Sequence, residues 1–239
     1  SWGNQIDPEK LTEMINRKVR IEKIAIKDVK LRTFITADTS RNEMVQHVYD
    51  ITYGTVRPGQ DTLIVIDDSI VRGTTLKESI VRMLSRLNPK RIIIVSSAPQ
   101  IRYPDCYGID MSKLGDFVAF RAAIELINER GMQPMLAELL QRCKELQQQN
   151  NLHTENLVRQ LYKPFTTEEI SAKMAELITP TDIRIPIDVI YQTIETLHEA
   201  CPHNQGDWYF TGNYPTPGGN RVCNQAFLNY MEGKNVRGY

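Results

Sequence analysis

LIVIDDSIVRGTTL, residues Leu63 to Leu76, decides the fold class of this chain. Leu63, Ile64, Val65 and Ile66 read as a buried strand of a parallel sheet, because the run is too short for a helix and rich in branched side chains. Two carboxylates, Asp67 and Asp68, stand at the carboxyl end of that strand, where ligands bind in open α/β sheets. Gly73 lets the backbone turn tightly, and Thr74 and Thr75 are placed to cap a helix that starts near Leu76. Backbone N–H groups at such a helix start, with the positive end of the dipole behind them, form a phosphate site. Amides for a phosphate and carboxylates for a diol together describe a ribose 5-phosphate.

Working outward, Pro58-Gly59 makes the turn into the strand. The helix after the loop carries Ile80, Met83, Leu84 and Leu87 on one face and ends before Pro89. Arg91 to Ser97 is the next buried strand, so the pattern is βαβ with a right-handed crossover. Upstream, Asp7-Pro8-Glu9 opens a helix that continues to Val19. Arg20 to Ile26 alternates charged and apolar residues as a half-buried strand does. Leu31 to Ile35 is a second extended piece, and Ser40 with Glu43 forms a capping box for a helix to about Tyr53, closed by Gly54. From Lys113 the character changes. Phe117, Phe120, Ala123, Ile124 and Ile127, then Leu136, Leu139, Leu140 and Leu146, recur with helical spacing. Thr166 to Glu169 starts another helix, Ile187 to Ala200 is read as a further one, and Cys201 to Asn220 is irregular. The expected class is α/β: a partial parallel-sheet core over residues 1–112, then a mainly helical region with an irregular tail over residues 113–239.

The 239 residues carry 29 basic and 29 acidic side chains, and 41% of them are apolar. A net charge of zero gives no reason to expect nucleic acid or an anionic membrane as partner. No apolar run approaches the ~20 residues that span a bilayer. Cys106, Cys143, Cys201 and Cys223 are widely spaced, which favours reduced thiols in a cytoplasmic enzyme over a disulfide framework. His203 with Cys201 and Cys223 fits no common zinc spacing. His47 and His198 sit on expected helices and read as packed or solvated.

The wording DDSIVRGTT in its strand–loop–helix context resembles the phosphoribosyl pyrophosphate loop of type I phosphoribosyltransferases. Within them it resembles the glutamine amidophosphoribosyltransferases that begin purine synthesis. Ala98 to Ser112, APQIRYPDCYGIDMS, resembles the segment after the next strand in the same family, and Phe210 to Thr216, FTGNYPT, a tail of its longer bacterial members. The resemblance runs well from Val19 to Ser112 and more patchily from Tyr209. It implies a type I phosphoribosyltransferase-like core in which ammonia replaces pyrophosphate at the anomeric carbon of the ribose. Asp67 and Asp68 would then hold the ribose hydroxyls and favour the cationic transition state. Ser69, Arg72, Gly73, Thr74 and Thr75 would cradle the 5-phosphate. Leu31 to Ile35 resembles the family's mobile catalytic loop, placing Arg32 and Thr33 over the pyrophosphate, although the residues that follow depart from the family pattern.

The same resemblance implies Mg²⁺ held mainly through the substrate, phosphoribosyl pyrophosphate as substrate and purine nucleotides as inhibitors. No iron–sulfur cluster is expected, since Cys201 and Cys106 alone cannot complete a four-cysteine site. The family opens with a catalytic cysteine on a glutaminase domain, and neither is found here. The expectation is therefore a C-terminal fragment, inactive alone, whose parent supplies the glutaminase domain. An uncovered sheet edge would invite homo-oligomers. The alternative from another class is a non-catalytic nucleotide-binding or regulatory module that keeps the loop and has lost the chemistry.

Overall fold

The computed structural model describes residues 7–18, 20–27, 49–108, 111–203 and 206–238. The chain divides into two units, residues 1–55 and residues 56–239.

In the first unit Asp7 accepts a hydrogen bond from the Glu9 amide at 3.0 Å and caps α1, Pro8–Asn16. β1, Ala25–Lys27, pairs antiparallel with β2, Tyr49–Ile51, setting Ala25 opposite Ile51. The helix expected to run to Tyr53 is therefore replaced by a strand at residues 49–51. Tyr49 and Ile51 alternate with Asp50 and Thr52, a period that suits a strand, and pairing with β1 overrides the helical start signal. The remainder of that expected helix lies outside the described residues.

The second unit is built on three parallel strands in the order β3, β4, β5. β3 is Thr62–Asp67, β4 is Arg91–Ser96 and β5 is Ile187–Tyr191. Register places Leu63 beside Ile92, Val65 beside Ile94 and Val189, and Asp67 beside Ser96 and Tyr191. Residues two apart share a face, so one face carries Leu63, Ile92, Ile94 and Val189, all buried. The opposite face carries Ile64, Ile66 and Ile190, which are 64%, 75% and 51% exposed. The strand Leu63 to Ile66 is thus buried on one side only, a correction to its reading as a buried strand. An unbroken apolar run does not reveal how many faces are covered.

β5 is a second correction, since Ile187 to Ala200 was read as one helix. Ile187, Ile190 and Ile194 fall at helical spacing, but Pro186 stands before the run and Thr193 starts a separate helix. The Thr193 hydroxyl accepts the Thr196 amide at 3.1 Å and caps α6, Ile194–Ala200. The residues between prefer the strand position beside β4. The sheet therefore draws its third strand from beyond residue 113, where the sequence changes character.

After β3 comes a π-helical turn, Leu76–Val81, that passes into α2, Arg82–Ser85. The wider π turn shifts the buried side. Leu76, Val81, Leu84 and Leu87 are buried, whereas Ile80 and Met83 are half-buried. α3, Val118–Glu129, buries Phe120, Ala123, Ile124 and Ile127 as their spacing predicts. α4, Gln133–Gln148, and α5, Thr167–Ile178, follow, and Thr166 with Glu169 closes a full capping box on α5. α5 packs on β5 and against α3.

The tail is less irregular than its composition suggests. It holds α7, Trp208–Thr211, and α8, Pro217–Met231. The carbonyl of Tyr209 accepts from the amides of Arg102 and Tyr103, and its hydroxyl donates to the buried Asp105 at 2.7 Å. The Tyr214 hydroxyl donates to the Pro104 carbonyl at 2.7 Å. On α8, buried Asn224 donates to the carbonyls of Leu152 and Glu155 at 2.8 and 2.7 Å and accepts from the Leu157 amide at 3.0 Å. Cys143 and Cys223 are buried free thiols, Cys201 is exposed, and burial pushes Cys143 up to about 12. Among the described residues no helix is long and apolar enough to cross a membrane.

Candidate functional site

The two acids leave β3 in different directions because successive strand residues face opposite ways. Asp67 lies on the helix-covered face, in a row with Ser96 and Tyr191, while Asp68 is exposed. β4 holds their backbone: the Ser97 amide donates to the Asp67 carbonyl at 2.9 Å and its hydroxyl to the Asp68 carbonyl at 3.1 Å. The Asp67 carboxylate accepts from the Asp68 amide at 3.0 Å. Ser69 reaches the Asp68 carboxylate only at 3.4 Å, a weak contact that leaves its hydroxyl available for exchange. Burial raises the Asp67 pKa, and the neighbouring Asp68 charge adds to this.

That rise has a consequence for stability. A carboxyl whose folded pKa exceeds its unfolded value stabilises the fold only below the unfolded value, and loses that contribution as pH rises through the folded pKa. Ionised Asp67 therefore burdens the fold at neutral pH. Asp67→Asn keeps an acceptor for the Asp68 amide and removes the charge. Its melting temperature at pH 7 should exceed the parent's by about 1–2 °C, a modest gain because solvent screens a half-exposed group. The gain should disappear below about pH 4. A melting temperature lower than the parent's at pH 7 would contradict the assignment of Asp67 as a desolvated charge.

The back of the loop is pinned to the helices. Ile70 is buried. The carbonyl of Val71 accepts from the Val118 amide at 2.8 Å, and the carbonyl of Arg72 accepts from the Arg121 guanidinium at 2.6 Å. Arg72 also stands 3.7 Å from Asp116, an exposed pair of small energetic weight. Gly73 has φ +71°, and a Cβ there would lie 2.8 Å from Cγ2 of Ile178 and 3.4 Å from Val118. The glycine is thus required by the helices behind it, not only by a ligand in front.

The helix begins at Thr74, two residues earlier than its expected start near Leu76. Thr75 is already helical, with φ −61° and ψ −40°, and its side chain caps nothing. The Gly73 carbonyl accepts the Lys77 amide at 2.9 Å, as a first helical turn does. Thr74 and Thr75 are exposed, and the first amides of a helix have no carbonyl behind them within it. Asp67, Asp68, Ser69 and the amides from Arg72 to Thr75 accordingly meet along one loop. Arg32 and Thr33 lie outside the described residues.

Two residues around this loop carry no sequence signal. Tyr191 is buried at the carboxyl end of β5, and its hydroxyl has no hydrogen-bond partner among the described residues. Burial raises its pKa, with the Asp67 charge adding to the effect. Reading residues 187–191 as a strand would have placed it in the same row as Asp67. Arg121 belongs to no motif, and only the packing of α3 brings it to the loop. As for metal, no three His, Cys, Asp or Glu side chains group together among the described residues.

No protein-family model matches the chain. It is 45% identical over 67 residues, 28% of its length, to an amidophosphoribosyltransferase of Haemophilus influenzae. It is 39% identical over 67 residues to one of Escherichia coli and 37% identical over 87 residues to one of Saccharomyces cerevisiae. The matched stretches span 13%, 13% and 17% of those relatives, so the chain covers only a small part of their length. A solved glutamine phosphoribosylpyrophosphate amidotransferase from B. subtilis, complexed with ADP and GMP, corresponds loosely to 81% of this chain and 32% of that one, with 22% identity and a TM-score of 0.44. Over the stretch it shares with the curated enzymes, this chain is related to the amidophosphoribosyltransferases.

Proposed function

We propose that Asp67 to Thr75 form the sugar-phosphate cradle of an amidophosphoribosyltransferase. One observation carries the reading: two strand-end carboxylates and the first amides of a helix lie on one strand–loop–helix segment, within a chain similar to enzymes of that name. The substrate proposed is phosphoribosyl pyrophosphate, whose pyrophosphate is displaced by ammonia to give phosphoribosylamine. Asp67 and Asp68 accept hydrogen bonds from the ribose hydroxyls and favour positive charge at the anomeric carbon. Amides from Arg72 to Thr75, with the hydroxyls of Ser69, Thr74 and Thr75, hold the 5-phosphate. Mg²⁺ carried in by the substrate would supply charge compensation for the departing pyrophosphate while needing few protein ligands. Arg32 and Thr33 are proposed, on sequence resemblance alone, to close over that group. Purine nucleotides share the sugar-phosphate and compete for the same cradle.

Calorimetric titration with phosphoribosyl pyrophosphate and Mg²⁺, beside AMP and GMP, tests this reading. The chain should bind at least one of them saturably. Asp67→Asn with Asp68→Asn should weaken that binding by about 100-fold or more, since hydrogen bonds to charged groups contribute about 1.5–3 kcal/mol each. A double variant that folds and binds as tightly as the parent would remove the carboxylates from the site.

A further inference from the structure

We propose that Arg121 is a positioning residue for the sugar-phosphate loop: from α3 it holds the Arg72 carbonyl and so aims the Gly73 amide at the phosphate. The proposal rests on the cradle assigned above. Its geometry begins with two consecutive loop carbonyls, Val71 and Arg72, which both point toward α3 and are bonded there at 2.8 and 2.6 Å. Every peptide bond described is trans. In a trans peptide unit the C=O and N–H point in opposite directions. Turning the Val71 carbonyl toward α3 therefore turns the Arg72 N–H away from it, and turning the Arg72 carbonyl inward sends the Gly73 N–H outward. Successive amides aimed to one side make an anion-binding concavity. Val118 fixes the first of these peptide units and Arg121 the second.

The rest of the guanidinium supports a dedicated role. Its Nε is buried and has no hydrogen-bond partner among the described residues. A half-buried guanidinium that donates to a loop carbonyl is poorly explained as a surface charge. Taking the Arg121 donor away from the Arg72 carbonyl removes one restraint on that peptide unit. The positive charge behind the loop also adds to the field an incoming phosphate meets.

The test uses the full chain with two variants, Arg121→Met and Arg121→Lys. Titration with AMP, and with phosphoribosyl pyrophosphate and Mg²⁺, is paired with hydrogen exchange read on peptides covering residues 70–76. Arg121→Met should weaken binding about tenfold and speed exchange in that segment relative to the α3 and α5 peptides. Arg121→Lys, which keeps a charged donor, should recover most of both. The proposal is overturned if Arg121→Met binds and exchanges like the parent, if Arg121→Lys recovers nothing, or if affinity merely follows melting temperature across the set. Should the parent bind none of the ligands, the cradle reading fails by itself, and exchange in residues 70–76 still decides whether Arg121 holds the loop. Should Arg121→Met not fold, the graded loss in Arg121→Lys decides it.

Discussion

Gly73→Val is expected to lower the melting temperature by about 6–12 °C and to abolish sugar-phosphate binding. Two costs add. A branched side chain at φ +71° is forced into the left-handed region, which costs about 1–2 kcal/mol. Its Cβ would then sit 2.8 Å from Ile178 Cγ2 at the end of α5, an overlap that a packed interior relieves only at about 1–3 kcal/mol. A total near 3 kcal/mol corresponds to the stated shift for a chain of this size. Gly73→Ala should lie between parent and Val, because it meets the same backbone strain with less bulk. A thermal melt beside a titration separates the causes. If Gly73→Val kept the parent's melting temperature and lost only binding, the Cβ would point at ligand rather than at α5, and the account of the loop's back would be wrong.

Asn224→Leu should cost about 3–5 kcal/mol, measured as a fall in the midpoint of denaturant unfolding. The two side chains are close in size, so the effect is one of satisfaction rather than volume. Asn224 is fully buried and serves two carbonyls, of Leu152 and Glu155, and one amide, of Leu157. Leucine leaves all three without a partner, and each buried group so left costs about 1–3 kcal/mol. Asn224→Asp should also be destabilising, since it turns the donor into an acceptor that faces two carbonyls. Unfolding midpoints within error of the parent for both variants would show that water replaces the side chain there.

The strand, the turn and the helix start of the candidate loop were legible because their signals are local. The branched run of β3, the two acids, Gly73 and the two threonines follow one another along the chain. What could not be read is whatever depends on distant partners. Residues 187–191 have isoleucines at helical spacing, and only the vacancy beside β4 makes them a strand. The open face of Ile64 and Ile66 looks in sequence like any buried run. Gly73 was correctly marked for its freedom, yet the neighbour that demands it is Ile178, over a hundred residues away. Arg121 lies 49 residues from the carbonyl it holds, and nothing in its own surroundings announces that contact.

The clasp between the tail and the segment after β4 bears on the order in which the chain folds. The Tyr209 to Asp105 and Tyr214 to Pro104 bonds close loops of 104 and 110 residues. Contacts of such separation are formed late, because the entropy of closure must be met before they reward it. During synthesis from the amino end, β3 and β4 can pair early, through one short crossover. Asp105 and the amides of Arg102 and Tyr103 must wait for residue 209 to emerge. Until then the segment carries an acid and two amides without their final partners, which keeps it open to water. The segment after β4 is thus among the last parts of the second unit to set, and Tyr209 and Tyr214 act as its latch.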